Sequence, residues 1–171
     1  MIIAIDGPAA TGKSSTAKAV AEELGFMYLD TGAMYRAVTL AVLEKNISLT
    51  HDYDIKSFLA SLDLNILYLE KTLVIELDQV DVTKHIRDPK VTAKVSEVSA
   101  LPSVRKTMVK FQRKLASDKD CIVEGRDIGT VVFPDADLKF YMIADSSIRA
   151  ERRKKDLLTL GKNKDISELE T

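Results

Sequence analysis

The chain has one cysteine, no tryptophan, four prolines and seven glycines among its 171 residues. A lone cysteine, Cys121, cannot close an internal disulfide, which excludes a disulfide-stapled framework and fits a reducing cytosol. No histidine constellation surrounds it, and it precedes an apolar run, so it reads as a core residue and not as a nucleophile. A basic excess is also missing: 25 Lys and Arg stand against 26 Asp and Glu, for a net charge of −1. That balance argues against nucleic-acid and membrane-surface binding, so any anion site must be local. No apolar run approaches the roughly 20 residues that span a bilayer, and the chain opens directly on the strand-like "MIIAID" with no leader pattern. A cytoplasmic protein is expected, and its length suits one domain with a real core.

What is present is a strand–helix alternation. Ile2 to Ile5 reads as a short, fully buried parallel strand. A glycine-bounded loop follows, then a helix with Ala17, Val20, Ala21 and Leu24 on one face and Gly25 as its C-cap. "FMYLD" is a second strand, followed by a Thr-Gly turn and a helix striped by Met34, Val38, Ala41 and Val42. The middle changes character: "LNILYLEKTLVIELDQVDV" holds two β-like runs around a turn at Glu70 and Lys71, an antiparallel hairpin inserted in the main fold. After "RDP" two helices are expected. Val91, Val95 and Val98 stripe the first; Pro102 opens the second, with Val104, Met108, Phe111 and Leu115 at helical spacing. "CIVEG" and "LKFYMIA" then read as two more buried strands, and a charged helix "SSIRAERRKKDLLTLGKNKD" comes last. The expected class is α/β, with a parallel sheet between crossover helices.

"GPAATGKS", Gly7 to Ser14, matches G-x-x-x-x-G-K-[ST]. It follows a strand and precedes a helix, which is the context the motif requires. Backbone N–H groups of such a loop turn inward around phosphate oxygens, Lys13 reaches the β- and γ-phosphates, and the Ser14 hydroxyl joins a Mg²⁺ shell. The helix start adds its positive dipole end. The loop alone does not name a reaction, because GTPases, ATPases and small-molecule kinases share it. "GKNKD", Gly161 to Asp165, falls one spacer short of a guanine-reading motif and lies in a polar stretch away from any strand end, so it is rejected.

Arg36 and Arg126 each follow a predicted strand end, the edge where parallel sheets build their ligand crevice. Guanidinium groups grip phosphate in bidentate fashion, so two of them opposite a phosphate loop suggest a phosphorylated acceptor; surface ion pairs are the ordinary alternative. The residues carry a resemblance. "IAIDGPAATGKSSTAKAVAEELG", "LDTGAMYRA", "VDVTKHIRDPKV", "LPSVR", "GRDIGTVVFPDADLKFYMIA" and "RAERR" resemble the bacterial cytidylate kinases in order and spacing from residue 2 to about 160. Kinases for adenylate, guanylate or thymidylate share the loop but not "DTGAMYR" or "GRDIGT".

The resemblance implies a three-layer P-loop NTPase fold with a parallel sheet, a small antiparallel β insert and a helical lid. It implies a single domain over 1–171: core 1–61 and 98–144, a monophosphate-site insert 62–97, and a lid 145–165. The implied reaction is Mg²⁺-dependent transfer of the ATP γ-phosphoryl to CMP or dCMP. ATP would sit on Gly7, Pro8, Ala9, Ala10, Thr11, Gly12, Lys13, Ser14 and Ser15, with Arg149 and Arg153 closing from the lid helix that also carries Arg152. CMP would be lined by Thr31, Tyr35, Arg36, Ser96, Arg105, Arg126 and Asp127. Lys13, Arg36, Arg126, Asp127 and Arg153 form the implied catalytic set. Ser14, and Glu124 through a water, would hold the metal; relatives often carry aspartate at the position of Glu124, and a purely local role is equally open. As bare sequence features Ser96 and the basic helix also read as solvated surface. Asp30 suits a helix cap better than a general base, and His51 and His85 lack metal-ligand spacing. The partners implied are small nucleotides, with neither nucleic acid nor membrane, and a monomer. The family's later "RDxxDxxR"-like helix, further strand and terminal helix have no counterpart after "ISELET". Two alternatives therefore stand beside the active kinase: a truncated form that binds nucleotide but turns over poorly, and another P-loop small-molecule kinase.

Overall fold

A computed structural model describes residues 1–69 and 72–159. The chain forms two compact units, one made of Met1–Met27 with the described residues from Asp120 onward, the other of Tyr28–Lys119. The turn at Glu70 and Lys71, the end of the expected lid and the "GKNKD" stretch lie outside the described residues.

In the first unit β1 (Ile2–Asp6) is paired on both edges. It runs parallel to β6 (Cys121–Gly125), with Ile2 opposite Cys121 and Asp6 opposite Gly125. It also runs parallel to β7 (Leu138–Tyr141), with Ile3 opposite Leu138 and Asp6 opposite Tyr141. A central parallel strand is buried on both faces, which is why "IIAI" is apolar without alternation. Cys121 is buried, as expected of a core thiol. α1 (Lys13–Leu24) packs on β6 and β1 through Ala17 and Ala21, small enough for close approach. Gly25 ends it with φ 68°, and the next residue, Phe26, donates its N–H to Ala21 O at 2.9 Å, the C-cap arrangement the sequence suggests. Leu24 is exposed, against expectation: the stripe set by residues 17 and 21 continues to position 25, so Leu24 turns off the buried face. β2 (Met27–Asp30) then begins, with Met27 N–H donating to Asp120 O at 2.9 Å.

The second correction concerns β7. Sequence predicts a buried strand, yet all four of its residues are exposed, Phe140 and Tyr141 by 53% and 67%. Apolar content reports a preference for burial, not a partner to provide it; among the described residues β7 is paired only with β1. Between β6 and β7 a single π-helical turn, Ile128–Val132, occupies what the sequence suggests is an irregular loop. α6 (Ser146–Thr159) follows β7.

In the second unit Asp30 caps α2 (Thr31–Glu44), its Oδ1 accepting from Ala33 N–H at 2.9 Å. The cap draws Thr31 and Gly32 into the helix, so the expected Thr-Gly turn is instead the first helical turn. α2 is buried along most of its circumference, from Thr31 to Val42. The sequence pattern leaves residues 45–61 unassigned; α3 (Asp52–Ser61) fills part of that stretch. β3 (Leu64–Leu69) and β4 (Thr72–Leu77) form the expected antiparallel hairpin, Leu64 opposite Leu77 and Ile66 opposite Ile75. A third strand, β5 (Val80–Asp81), joins β4 through a two-residue turn in which Asp78 and Gln79 both take positive φ, 48° and 67°. A 3₁₀ turn, His85–Arg87, leads into α4 (Pro89–Ala100), which packs on α2, and then α5 (Pro102–Ala116), which packs on α3 and α4. His51 and His85 are exposed. Among the described residues no helix is long and apolar enough to cross a membrane.

The buried stripe of α5 is Val104, Met108, Gln112 and Ala116, a strict four-residue repeat. Phe111 and Leu115, expected on that stripe, are only half-buried because the repeat rotates past them. Gln112 is fully buried, and among the described residues neither its Nε2 nor its Oε1 has a hydrogen-bond partner. A desolvated, unpaired amide costs about 1–3 kcal/mol, and methionine matches the side chain in length without that cost. Gln112→Met should therefore raise the unfolding free energy by roughly 1–3 kcal/mol, read as a higher midpoint in urea or heat. An unchanged or lower midpoint would show that the amide is satisfied in solution.

Candidate active site

The phosphate loop leaves β1 at Asp6. Gly7 takes φ 145°, and a Cβ there would lie 2.3 Å from Met142 O, so only glycine lets the loop turn against the chain leaving β7. Met142 N–H in turn donates to Asp6 O at 2.7 Å. Gly12, φ 98°, is the N-cap position of α1. Lys13 is buried, and its Nζ donates to Pro8 O at 2.7 Å. The Thr11 hydroxyl donates to the same carbonyl at 3.0 Å. Ser14 and Ser15, in the first turn of α1, are exposed.

Two more cations reach the loop within the same unit. Arg126 Nη1 donates to Gly7 O at 2.8 Å. Arg152 Nη1 donates to Thr11 O at 3.1 Å and to Ala10 O at 3.4 Å. Loop carbonyls thus face positive side chains, which offsets their negative ends and favours an anion on a loop already set at a helix N-terminus. Of the three arginines that sequence places on the lid helix, Arg152 is the one seen at the loop. Arg149 is half-buried, and the side chain of Arg153 lies outside the described residues. Beside the loop a cavity of about 500 Å³ is lined by Thr11, Ile143, Ala144, Asp145, Ile148 and Arg152.

Asp6 is the residue that sequence reasoning passes over as a mere strand end. Its buried carboxylate accepts Ile128 N–H through Oδ1 and Gly129 N–H through Oδ2, both at 2.8 Å. One side chain thereby fixes the π-turn after β6 to the start of the phosphate loop. The only signal in the sequence is an acid directly before the first loop glycine. Asp127, half-buried, opens that π-turn, its carbonyl accepting from Val131 N–H at 2.8 Å. Glu124 is buried and lies opposite Ile5 in the β1–β6 register. Among the described residues no three His, Cys, Asp or Glu side chains cluster to hold a metal.

The other candidate residues belong to the second unit. Thr31 is buried in the first turn of α2, one turn before the half-buried Tyr35 and Arg36. Thr39 Oγ1 donates to Tyr35 O at 2.8 Å. Ser96 is exposed on α4, and Arg105 is half-buried on α5, two helices that pack together.

Comparison with known proteins decides the family. The family model for cytidylate kinase matches residues 3–171. The chain belongs to the cytidylate kinase family. It is 48% identical over 161 residues to a cytidylate kinase of Carboxydothermus hydrogenoformans, covering 94% of this chain and 72% of that one. It is 51% identical over 162 residues to one of Chloroherpeton thalassium, covering 92% and 66%. With one of Halalkalibacterium halodurans it is 43% identical over 169 residues, covering 99% and 76%. Cytidylate kinases are nucleoside monophosphate kinases, transferases that draw on a nucleotide co-substrate, and the mixed α/β architecture with its parallel and small antiparallel sheets suits that family.

The Asp6 clamp generates a direct expectation. An asparagine oxygen accepts one N–H while its own NH₂ faces the other, so Asp6→Asn loses one charge-assisted bond and leaves a buried donor opposed. The variant should be destabilised by about 2–3 kcal/mol, measured by urea unfolding. Unchanged stability would show that the carboxylate does not hold the π-turn.

Proposed function

We propose that the protein transfers the γ-phosphoryl of ATP to CMP or dCMP, giving ADP and CDP or dCDP, as a cytoplasmic monomer. One observation carries this reading: a complete phosphate loop, ringed by Lys13, Arg126 and Arg152, in a chain nearly half identical to cytidylate kinases. The assignment of parts follows the sequence: core 1–61 and 98–144, insert 62–97 on the monophosphate side, lid 145–165.

ATP is held by Gly7–Ser15 and the lid arginines. The cavity beside Thr11 suits its base, with Ile143 and Ile148 as apolar walls and the Arg152 guanidinium as a flat cationic face. Thr31, Tyr35, Arg36, Ser96, Arg105, Arg126 and Asp127 take the monophosphate. Ser14, and Glu124 through a water, would hold Mg²⁺ brought in with ATP, which would supply positive charge to the phosphates. The attacking oxygen already belongs to an anionic phosphate, so no general base is needed. Catalysis reduces to alignment and to charge placed where the transferring phosphoryl develops it. Lys13 supplies that charge from the loop, and Arg36 and Arg126 hold the acceptor.

A coupled assay of ADP release with CMP, dCMP, UMP and a sugar acid as acceptors tests the reaction; turnover confined to the sugar acid would overturn it. Lys13→Ala should lower kcat by about 10²–10³-fold, the usual cost of one donor to a developing charge. A near-normal kcat would remove Lys13 from the transfer step. Arg36→Ala should raise KM for CMP about 10–100-fold, the loss of a charge-assisted contact, with KM for ATP little changed. Weakened ATP binding alone would mean that the two nucleotide sites are assigned the wrong way round.

A further inference from the structure

We propose that Arg87 is a positioning residue for the acceptor nucleotide, acting through the carboxylate of Asp30. The inference rests on the reading of Thr31, Tyr35 and Arg36 as monophosphate ligands.

Asp30 divides its two oxygens between two tasks. Oδ1 accepts from Ala33 N–H at 2.9 Å and so fixes the first turn of α2, the turn that carries Thr31. Oδ2 faces Arg87 Nη2 at 3.7 Å. Arg87 does not drift freely beneath this carboxylate. It closes the His85–Arg87 turn, which is pinned by the fully buried Ile86 and continues through Asp88 into α4. The Asp30 side chain is 13% exposed and that of Arg87 55%, so the carboxylate is the sheltered member and the guanidinium its link to solvent.

Gly32 shows what lies on the other side. A Cβ at residue 32 would stand 3.2 Å from Asp30 Oδ1 and 3.3 Å from Arg36 Nη1. The Asp30 carboxylate and the Arg36 guanidinium therefore converge over the one residue in that turn with no side chain. A lone sheltered carboxylate there would compete with an incoming phosphate for Arg36. Arg87 places a second positive charge at the far oxygen and balances the carboxylate, which weakens the carboxylate's competition with an anion for Arg36. At 3.7 Å the Arg87–Asp30 contact is a charge interaction and not a fork of hydrogen bonds, so lysine should substitute for it.

The test is steady-state kinetics on the full chain with CMP and ATP varied separately, for wild type, Arg87→Ala, Arg87→Lys, Asp30→Asn, the Arg87→Ala/Asp30→Asn double variant, and Arg36→Ala as reference. Arg87→Ala should raise KM for CMP about 3–5-fold, the scale of one part-exposed ion pair, with KM for ATP and kcat little moved. Arg87→Lys should restore most of the loss. Because Arg87 works through Asp30, the double variant should be no worse than the poorer single one. An unchanged KM for CMP in Arg87→Ala would overturn the proposal, as would an equal rise for both nucleotides. Multiplicative effects in the double variant would also overturn it, since Arg87 would then act on the ligand itself. If Arg87→Ala is silent while Arg36→Ala raises KM for CMP, only this proposal fails; if Arg36→Ala is silent too, the monophosphate assignment fails and takes it along.

Discussion

The first unit hangs on the place where the backbone leaves β1. Gly7 passes so close to Met142 O that no side chain fits, and Asp6, one residue earlier, ties the turn after β6 with two buried hydrogen bonds. The ends of β1, β6 and β7 are thereby held in one fixed arrangement. Lys13, Arg126 and Arg152 come from α1, the β6 turn and α6, yet all three reach carbonyls of the same short loop. They can do so only because the loop starts from that fixed point. A shift of about 1 Å would lengthen all of these contacts past hydrogen-bond range. The cations occupy the loop's carbonyls. The helix or strand that carries each charge is already in place, and that is what preorganisation means for this site.

Asp6 and Asp30 solve similar problems at two sequence ranges. Each is the last residue of a strand, and each gives its carboxylate to backbone N–H groups. Asp30 serves a donor three residues on, so its role is written in the local pattern of an acid before a helix. Asp6 serves donors 122 and 123 residues away. Only the parallel pairing of β1 with β6 brings them together, and no window of sequence contains that pairing. The same distinction explains why the 3₁₀ turn of Arg87 escapes a reading of motifs: its partner lies on β2, across the whole α2–β5 stretch.

What is legible in the chain is therefore what is contiguous. The phosphate loop, the Gly25 cap, the Asp30 cap, the hairpin and the buried stripe of α2 each depend on residues within a turn or two of one another. β7 marks the limit in the other direction. "LKFY" carries the composition of a buried strand, but burial needs a second surface, and composition cannot say whether one is supplied. Gln112 is the converse case, a polar residue at a core position of α5 that only the four-residue repeat of Val104, Met108 and Ala116 reveals. The arginines of α6 show a third limit. Arg149, Arg152 and Arg153 have the same chemistry on one helix, and which of them faces the loop depends on helix rotation, which α6 settles through contacts and not through its own sequence.

A chain with a net charge of −1 has no overall field to draw in polyanionic substrates. Attraction has to come from where the charges sit. Lys13 is a buried point charge at the middle of the loop, where desolvation makes it strong and a rigid helix keeps it in place. Arg126 lies toward the solvent side, on the turn that Asp6 ties down, and Arg152 comes in over the opposite shoulder of the loop. Such a division suits the two cation types, a compact ammonium that acts as a point charge and planar guanidiniums that carry paired donors. Two of the acidic residues that enter the total are themselves occupied. Asp6 is bound to backbone amides, and Asp30 is shared between a helix cap and Arg87. Near-neutrality of the whole and positive character at the loop are compatible because the carboxylate next to the loop, Asp6, is taken up by backbone amides.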